Sequence, residues 1–388
     1  MALKGRSLIS LRDFTCAEIR TILDLSRLMA EAIGLEGAAK RQSFEPMEAI
    51  LAALFFEPST RTRLSFESAM LRLGGQVLGF ADASSSSVSK GETLADTIRV
   101  VTGYCDIMVI RHPVMGAAKV AADYGSVPVI NAGDGAHEHP TQTLADLFAI
   151  MLALGRLDGL RVGLCGDLKY GRTVHSLAPV MARFGSEVVC IAPPELQMPE
   201  NVLAEVESIS GRRPEQTADL AAAVASVDVL YMTRIQRERF ADPAEYERQR
   251  GVYVLTPQIM AGARDSMIVL HPLPRVDEIS PEVDQGPGAW YFRQARAGVP
   301  VRMALISLLL GLEPTFGGGR RYGLDIASGG QPAPIETPAI DPPSREFVPD
   351  SAPCRQSGCI TSIEPVPSQA LRQADGTLVC AYCERPLP

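Results

Sequence analysis

Seven short apolar segments, each about the length of a β-strand, recur along most of the chain and alternate with stretches whose apolar residues have helical spacing. They are 50–56, 107–110, 127–130, 161–165, 188–191, 227–231 and 267–270. Such alternation is typical of parallel sheets covered by helices. Because 388 residues are too many for one small core, we predict an α/β fold with two doubly wound parallel-sheet domains.

The same pattern gives the domain boundaries. The first sheet ends near residue 130, and a helix over 139–153 leads to a second sheet near residue 160, so we place the two domains at 1–138 and 139–293. A last helix follows at 294–312. Beyond it, residues 315–350 are rich in Gly and Pro, a composition typical of linkers. Residues 351–388 then form a small third domain.

Composition excludes several classes of protein. The net charge is −8, and the arginines are scattered rather than striped along one helix, so we expect no nucleic-acid partner. The apolar runs are far shorter than a membrane span, so we expect no membrane segment. The first residues lack the apolar core of a signal peptide, and a cytoplasmic location is the default expectation.

The turn after the first strand is a candidate anion site. It reads Ser59-Thr60-Arg61-Thr62 and opens a helix. Unpaired N–H groups and the dipole at a helix N-terminus favour an anion, while the hydroxyl groups and the Arg61 guanidinium add donors. Ser and Thr are also ordinary helix caps, so this turn alone leaves both interpretations open.

Further polar residues follow the ends of other strands. They are Arg111 and the segments 166–172, 233–236 and 271–275. In open α/β sheets, ligands bind beyond the carboxyl ends of the strands, so we expect all four to face one crevice. His139 precedes a proline at the start of a helix, which is compatible with a site residue or with an ordinary helix start.

The eight cysteines fall into two groups. Four are isolated along the chain and suit core packing: Cys16, Cys105, Cys165 and Cys190. The other four form a Cys-x4-Cys and a Cys-x2-Cys pair near the C-terminus: Cys354, Cys359, Cys380 and Cys383. Four thiolates at this spacing predict a structural zinc site without an open coordination position. Zinc modules that bind nucleic acid are the alternative.

These motifs together resemble the catalytic chain of the aspartate carbamoyltransferase family over residues 7–314. They appear in the family's order: Ser59-Thr60-Arg61-Thr62, Ser89-Lys90-Gly91-Glu92-Thr93, Arg111-His112-Pro113, His139-Pro140-Thr141-Gln142, the segment 166–173, the segment 231–236 and His271-Pro272-Leu273-Pro274-Arg275. The resemblance implies transfer of a carbamoyl group from carbamoyl phosphate to L-aspartate in de novo pyrimidine biosynthesis, without a catalytic cofactor. It also implies that the helix 294–312 completes the first domain.

The resemblance further implies a role for each site residue. Carbamoyl phosphate is bound by Ser59, Thr60, Arg61, Thr62, Ser86, Lys90, Arg111, His139, Gln142, Pro272 and Leu273. Aspartate is bound by Lys90, Arg172, Thr173, Arg234, Gln236 and Leu273. The residues implied to be catalytic are Arg61, Thr62, Lys90, Arg111 and His139.

Within these sets, the resemblance also implies which part of each substrate the individual residues contact. Thr62, Arg111 and His139 point at the carbamoyl oxygen, and Gln142 and the backbone at Pro272 and Leu273 hold the carbamoyl amino group. Arg172 takes the α-carboxylate of aspartate and Arg234 the β-carboxylate. Lys90 and Ser86 come from a neighbouring subunit, which implies a homotrimer with shared sites.

The cysteine-rich tail resembles the zinc domain of the regulatory chain of aspartate carbamoyltransferase, whose role in the family is to grip catalytic chains. The nucleotide-binding domain that precedes it in the family is replaced here by the Gly/Pro-rich linker. We therefore expect a tethered zinc module and no regulation by ATP or CTP through that route.

Two alternative functions are considered. An ornithine-type carbamoyltransferase shares the Ser-Thr-Arg-Thr turn, but Leu273 stands where that enzyme typically has Cys, and Arg234 would repel the ammonium of ornithine. An inactive scaffold homologue is the other alternative. The intact set of cationic and hydroxyl residues disfavours it.

Overall fold

The computed structural model describes residues 3–35, 47–82, 87–235, 251–312, 315–316, 320–321, 340–343, 345–349 and 351–387. The chain divides into two compact units. The first comprises Met1–Thr141, Gly298–Pro332 and Pro342–Pro388, and the second comprises Gln142–Ala297 and Ala333–Asp341.

The first unit contains a four-stranded parallel sheet. Its strands are β1 (Ile50–Phe55), β2 (Gln76–Phe80), β3 (Ile107–His112) and β4 (Val129–Asp134), in the order β2-β1-β3-β4. Its helices are α1 (Cys16–Ala32), α2 (Thr60–Arg72), α3 (Leu94–Val101) and α4 (Ala117–Tyr124). The strands β1, β3 and β4 are almost fully buried, as strands covered on both faces must be.

The second unit contains a five-stranded parallel sheet. Its strands are β5 (Arg161–Cys165), β6 (Glu187–Ile191), β7 (Glu215–Thr217), β8 (Val229–Met232) and β9 (Ile268–Leu270), in the order β7-β6-β5-β8-β9. Its helices are α6 (Arg172–Arg183), α7 (Glu200–Ser210), α8 (Leu220–Val224) and α9 (Pro257–Met260). The prediction of two parallel-sheet α/β domains is confirmed.

The boundaries between the units fall within two long helices, α5 (Pro140–Leu154) and α10 (Tyr291–Leu310). Five short 3-10 helices complete the helical structure of the described residues: Leu11–Asp13, Ser87–Lys90, Pro194–Leu196, Pro281–Gln285 and Ile360–Ser362. No helix in the described part of the chain is both long enough and apolar enough to cross a bilayer.

The C-terminal tail, which comprises the described residues between 342 and 387, belongs to the first unit. It contributes a three-stranded antiparallel sheet of β12 (Glu346–Val348), β13 (Ala370–Arg372) and β14 (Leu378–Cys380), which follows two very short strands, β10 (Thr315–Phe316) and β11 (Arg320–Arg321). Its buried Ile360 and Tyr382 pack in one apolar cluster with Ile110 of β3 and Ala117 of α4. The tail therefore shares a core with the first unit.

Within the two parallel sheets, two strands, β2 and β7, do not appear among the seven predicted from the sequence. Both lie at an edge of their sheet, where one side of the strand is open and a long apolar run is not required. In β2 the glycine Gly79 has φ +144°, and a Cβ there would lie 2.1 Å from the carbonyl oxygen of Ala53 on β1. Only glycine permits this approach of the two strands.

Candidate active site

The turn between β1 and α2 presents its polar side chains at the N-terminus of a helix. Ser59 is the N-cap residue, with φ −155° and ψ 104°, but its side chain makes no capping hydrogen bond. Thr60 and Arg61 are exposed, whereas Thr62 is buried. Arg63, one residue further, is paired with Glu67 at 2.6 Å. The Ser59 hydroxyl is therefore not used as an ordinary cap, which favours an anion site at this turn.

Arg111 lies at the same edge of the first sheet. It is paired in register with Phe55, and its carbonyl oxygen accepts a 2.8 Å hydrogen bond from the amide of Phe56. Its guanidinium contacts a Glu57 carboxylate oxygen at 3.2 Å and donates to the carbonyl oxygen of Ala132 at 3.2 Å. These contacts fix a mostly buried cation at the sheet edge from which the β1–α2 turn begins.

His139 follows the third buried strand of this sheet, β4, and precedes Pro140, the first residue of α5. The β4–α5 turn is organised by the buried carboxylate of Asp134, which accepts hydrogen bonds from the backbone amides of Gly116 (2.8 Å) and Glu138 (3.1 Å). His139 itself is only 5% exposed. The turn therefore places an imidazole at the carboxyl edge that also carries Arg111.

His112, the residue after Arg111, is buried enough for its pKa to be lowered. Burial lowers its pKa from 6.5 to about 4. Its Nδ1 accepts a 3.1 Å hydrogen bond from the amide of Val114, and its ring lies 4.9 Å from that of Phe56. His112 is thus a neutral packing residue at neutral pH.

Two of the residues assigned to binding lie outside the described residues, namely Ser86 and Gln236. Lys90 is described and ends the exposed 3-10 helix Ser87–Lys90.

In the second unit, Arg172 and Arg234 follow adjacent parallel strands. β5 and β8 are paired in register, and the amide of Thr233 donates to the carbonyl oxygen of Cys165 at 2.8 Å. Arg172 begins α6, so it lies at a helix N-terminus, with Thr173 as the next residue of the same turn. Arg172, Thr173 and Arg234 are all half-buried.

The turn after β9 is held by a buried histidine. His271 is 2% exposed, and its Nδ1 accepts a 2.8 Å hydrogen bond from the amide of Leu273. Its Nε2 lies 2.6 Å from a carboxylate oxygen of Glu278, so the ring is neutral with its proton on Nε2. Leu273 has a left-handed φ of +53°. His271 therefore shapes the turn that carries Pro272 and Leu273.

A buried carboxylate, absent from the sequence-based assignments, links several of these groups. Asp146 is fully buried on α5; its Oδ1 accepts hydrogen bonds from Gln142 (2.7 Å) and Gln294 (2.6 Å), and its Oδ2 accepts one from the Tyr231 hydroxyl (3.0 Å). Gln294 in turn accepts from the amide of His271 at 2.8 Å. Asp146 is the single charged residue of α5, which was the available signal.

The four tail cysteines form a second, separate site. Their sulfur atoms all lie within 4.8 Å of one another, with Cys354 and Cys383 3.6 Å apart and Cys359 and Cys380 3.9 Å apart. A tetrahedron with Zn–S bonds of about 2.3 Å separates its sulfurs by about 3.8 Å. The thiolate set thus fits a four-coordinate metal such as zinc.

The structure gathers the sequence-predicted residues at two sheet edges. Residues 59–62, Arg111 and His139 share the carboxyl edge of the first sheet. The segments 166–172, 233–235 and 271–275 share that of the second. The last three segments therefore lie at one sheet edge of the second unit, and a crevice that they share with Arg111 stays a prediction.

Two family models match the chain. Residues 6–151 match the aspartate/ornithine carbamoyltransferase carbamoyl-P binding domain, and residues 158–309 match the Asp/Orn binding domain of the same family.

Similar proteins agree with this match. The aspartate carbamoyltransferase catalytic subunit of Thermococcus onnurineus is 53% identical over 312 residues, which cover 80% of this chain and 99% of the relative. The corresponding subunit of Methanopyrus kandleri is 54% identical over 308 residues, covering 79% and 98%.

Solved structures agree as well. The catalytic subunit of M. jannaschii aspartate transcarbamoylase has 47% identity and a TM-score of 0.71, and the match covers 79% of this chain and 98% of that one. Aspartate transcarbamoylase from Trypanosoma cruzi in complex with carbamoyl phosphate and aspartate has 41% identity and a TM-score of 0.74, covering 80% and 98%.

Proposed function

The chain belongs to the aspartate/ornithine carbamoyltransferase family as an aspartate-type catalytic chain, and we propose that it transfers the carbamoyl group of carbamoyl phosphate to the amine of L-aspartate. The products are N-carbamoyl-L-aspartate and phosphate, and the reaction belongs to pyrimidine biosynthesis. The observation that carries the proposal is the concentration of hydroxyl and cationic groups at the carboxyl edge of the first sheet, where a helix N-terminus meets Arg111 and His139.

Carbamoyl phosphate binds through its phosphate at the β1–α2 turn. Ser59, Thr60, Arg61 and Thr62 donate to the phosphate oxygens, and the dipole of α2 favours their negative charge. Lys90, Ser86 and Arg111 add further donors. As the amine attacks, the P–O bond stays intact and the bond from the carbamoyl carbon to the bridging oxygen breaks, so the phosphate leaves.

The carbamoyl oxygen gains negative charge in the tetrahedral transition state. Thr62, Arg111 and His139 stabilise that charge by donating to the oxygen, and each such donor lowers the barrier by about 3 kcal/mol. Gln142 and the backbone at Pro272 and Leu273 hold the amino group of the carbamoyl moiety.

Aspartate is recognised by two guanidinium groups. Arg172 pairs with its α-carboxylate and Arg234 with its β-carboxylate, with Thr173, Gln236, Lys90 and Leu273 completing its site. The departing phosphate accepts the proton that the attacking amine loses, so the reaction needs no covalent intermediate and no catalytic cofactor.

The enzyme acts as a homotrimer in the cytoplasm, with Lys90 and Ser86 contributed across a subunit interface. The tail binds one structural zinc ion through Cys354, Cys359, Cys380 and Cys383, supported by sulfur separations that suit a tetrahedral metal. We regard this tail as a zinc domain of the regulatory-chain type, fused to the catalytic chain without the nucleotide-binding domain.

The proposal is tested by offering carbamoyl phosphate with aspartate or with ornithine in parallel and measuring carbamoylated product and phosphate. We expect carbamoyl-aspartate and phosphate in equal amounts, and no citrulline. Product with ornithine alone would assign the chain to the ornithine branch, and product with neither would support the inactive scaffold.

A further inference from the structure

The carboxylate of Glu384, directly after the last tail cysteine, lies among cationic and imidazole groups of the first unit. One oxygen lies 2.6 Å from Nη1 of Arg345, and the other lies 3.2 Å from Nη1 of Arg12 and 3.8 Å from Nε2 of His137. Its side chain is only 15% exposed. Ion pairs this shielded from water are screened far less than surface pairs.

The local backbone of the cysteine turn sets the direction of this carboxylate. Glu384 has a left-handed φ of +54°, and its amide donates a 2.9 Å hydrogen bond to the carbonyl oxygen of Cys380. The Cys380–Cys383 turn that would hold the metal therefore also orients Glu384. Any loss of the metal-bound geometry would move the carboxylate.

The cluster extends to the turn that carries His139. Arg12 also pairs with the buried Glu138, and Nδ1 of His137 lies 3.0 Å from Oδ2 of Asp134. Asp134 is the carboxylate that organises the β4–α5 turn. The contacts of Glu384 thus reach both residues that immediately precede His139.

Backbone contacts hold the tail against the same region. The amide of Met115 donates to the carbonyl oxygen of Gly358 at 3.2 Å, and the amide of Ile360 donates to the carbonyl oxygen of Met115 at 2.9 Å. Gly116 has φ +86°, and a Cβ there would lie 2.9 Å from the carbonyl oxygen of Tyr382. The fit is close enough that a glycine is required at this contact.

A cation site is the alternative use of this cluster, since His137, Glu138 and Glu384 place ligand atoms within 4.8 Å of one another. The guanidinium groups of Arg12 and Arg345 already contact these carboxylates. Two fixed positive charges at this distance repel a metal cation, so the cluster is an ion-pair network.

We propose that the cysteine-rich tail is a positioning element of the carbamoyl-phosphate site, and that Glu384 holds the Asp134–His139 turn through Arg12 and His137. The proposal rests on the function proposed above and deepens it. Glu384 acts on the substrate only through the turn. Its removal should loosen His139 and weaken the handling of carbamoyl phosphate while leaving the metal in place.

The test compares Glu384→Gln with Glu346→Gln in the full-length, zinc-loaded protein. Glu346 follows Arg345 and lies on β12 of the same tail, but its exposed side chain pairs with Arg372 at 3.0 Å, a contact separate from the Glu384 ion pairs, so it is a matched control. Metal content is measured first. Hydrogen exchange of residues 131–141 and the KM values for both substrates are then compared.

We expect Glu384→Gln to keep its metal, to exchange amide hydrogens across 134–139 several times faster, and to raise the KM for carbamoyl phosphate about tenfold, as misplacement of a positioned group does. Glu346→Gln should match the wild type in its amide exchange across 134–139 and in its KM for carbamoyl phosphate. A metal-loaded Glu384→Gln protein with unchanged exchange would overturn the proposal. So would faster exchange with an unchanged KM for carbamoyl phosphate.

Arg12→Met provides a second variant if Glu384→Gln loses its metal, because it removes the guanidinium that links Glu384 to Glu138 without changing the cysteine turn, and it should give the same two changes. Wild-type exchange and KM in that variant would equally overturn the proposal. The exchange measurement does not depend on catalysis. If the wild-type protein lacks carbamoyltransferase activity, the proposed function fails while the exchange comparison still decides whether Glu384 holds the turn.

Discussion

The side-chain amide of Gln142 donates a 2.7 Å hydrogen bond to Oδ1 of the fully buried Asp146, one helical turn further along α5. An ionised carboxylate only accepts hydrogen bonds, so this contact commits the Gln142 nitrogen and leaves its oxygen to accept from a substrate. The carbamoyl amino group is such a donor. Burial and the Asp146 charge also raise the pKa of Tyr231 well above its usual value, which keeps its hydroxyl protonated and donating.

We expect Asp146→Asn to reduce kcat/KM for carbamoyl phosphate by roughly tenfold or more. The side-chain amide of the variant has only one oxygen, so it cannot accept from Gln142, Gln294 and Tyr231 together. Gln142 would therefore lose its fixed orientation. Steady-state rates at varied carbamoyl phosphate measure this. Tyr231→Phe is the comparison variant, since it removes a donor to Oδ2 and the hydrogen bond of the same hydroxyl with Thr173 without touching Gln142. Equal losses in the two variants would argue against orientation of Gln142 as the cause.

Arg61→Ala should lower activity by orders of magnitude without unfolding the protein, because Arg61 is exposed at a helix N-terminus and its loss removes a charge-assisted phosphate contact. Arg63→Ala is the control, since Arg63 is paired with Glu67 on the same helix. Rates and thermal melting of both variants check this. Near-normal turnover in a folded Arg61→Ala protein would remove Arg61 from the site.

Shared sites predict complementation between two inactive variants. Arg61→Ala and Lys90→Ala proteins should each be nearly inactive, and after dissociation and reassembly in equal amounts should recover about one quarter of wild-type activity. In a random cyclic trimer, that fraction of sites combines an intact Arg61 with an intact Lys90 from the next subunit. No recovery after verified subunit exchange would mean that one chain supplies both residues.

His112 should make the protein less stable in acid. Its folded pKa of about 4 lies below the ordinary 6.5, so the unfolded chain binds more protons between these values, and stability is lost as the pH falls from 6.5 towards 4. The full effect is about 3 kcal/mol. His112→Asn keeps an acceptor for the amide of Val114 without titrating. Urea unfolding at a series of pH values from about 7 to about 4.5 should show a smaller decrease in the free energy of unfolding for the variant than for the wild type. Parallel decreases in the two proteins would contradict a lowered pKa of His112.

Metal removal should destabilise the first unit as a whole, because the tail shares its apolar cluster. We expect about one zinc ion per chain, and a melting temperature lower by several degrees after chelation under reducing conditions or in Cys383→Ser. Cys105→Ser is a control for loss of a thiol, since the half-buried Cys105 donates to the carbonyl oxygen of Val101 at 3.5 Å, a hydrogen bond that a serine hydroxyl can also make. Unchanged melting in metal-free protein would show that the metal contributes no stability to the first unit.

The sequence by itself determined the class of fold and most of the candidate site. Strands buried on both faces must be apolar along their whole length, so the central strands of both sheets could be read directly, and residues that follow such strands reach the same sheet edge. For this reason Arg111, Arg172 and Arg234 could be placed at the carboxyl edges of their sheets without coordinates. The four tail cysteines could be recognised as a candidate metal site in the same way, because each of their two pairs is closely spaced along the chain.

Tertiary structure alone decided the rest. The edge strands β2 and β7 have no continuous apolar run, since half of their surroundings is open. The partners of Asp146 come from α5, β8 and α10, and two of the three partners of Glu384, namely Arg12 and His137, lie more than two hundred positions away along the chain. A buried charge is stable only when distant segments fold into place around it, and such pairings leave no periodic pattern in the sequence.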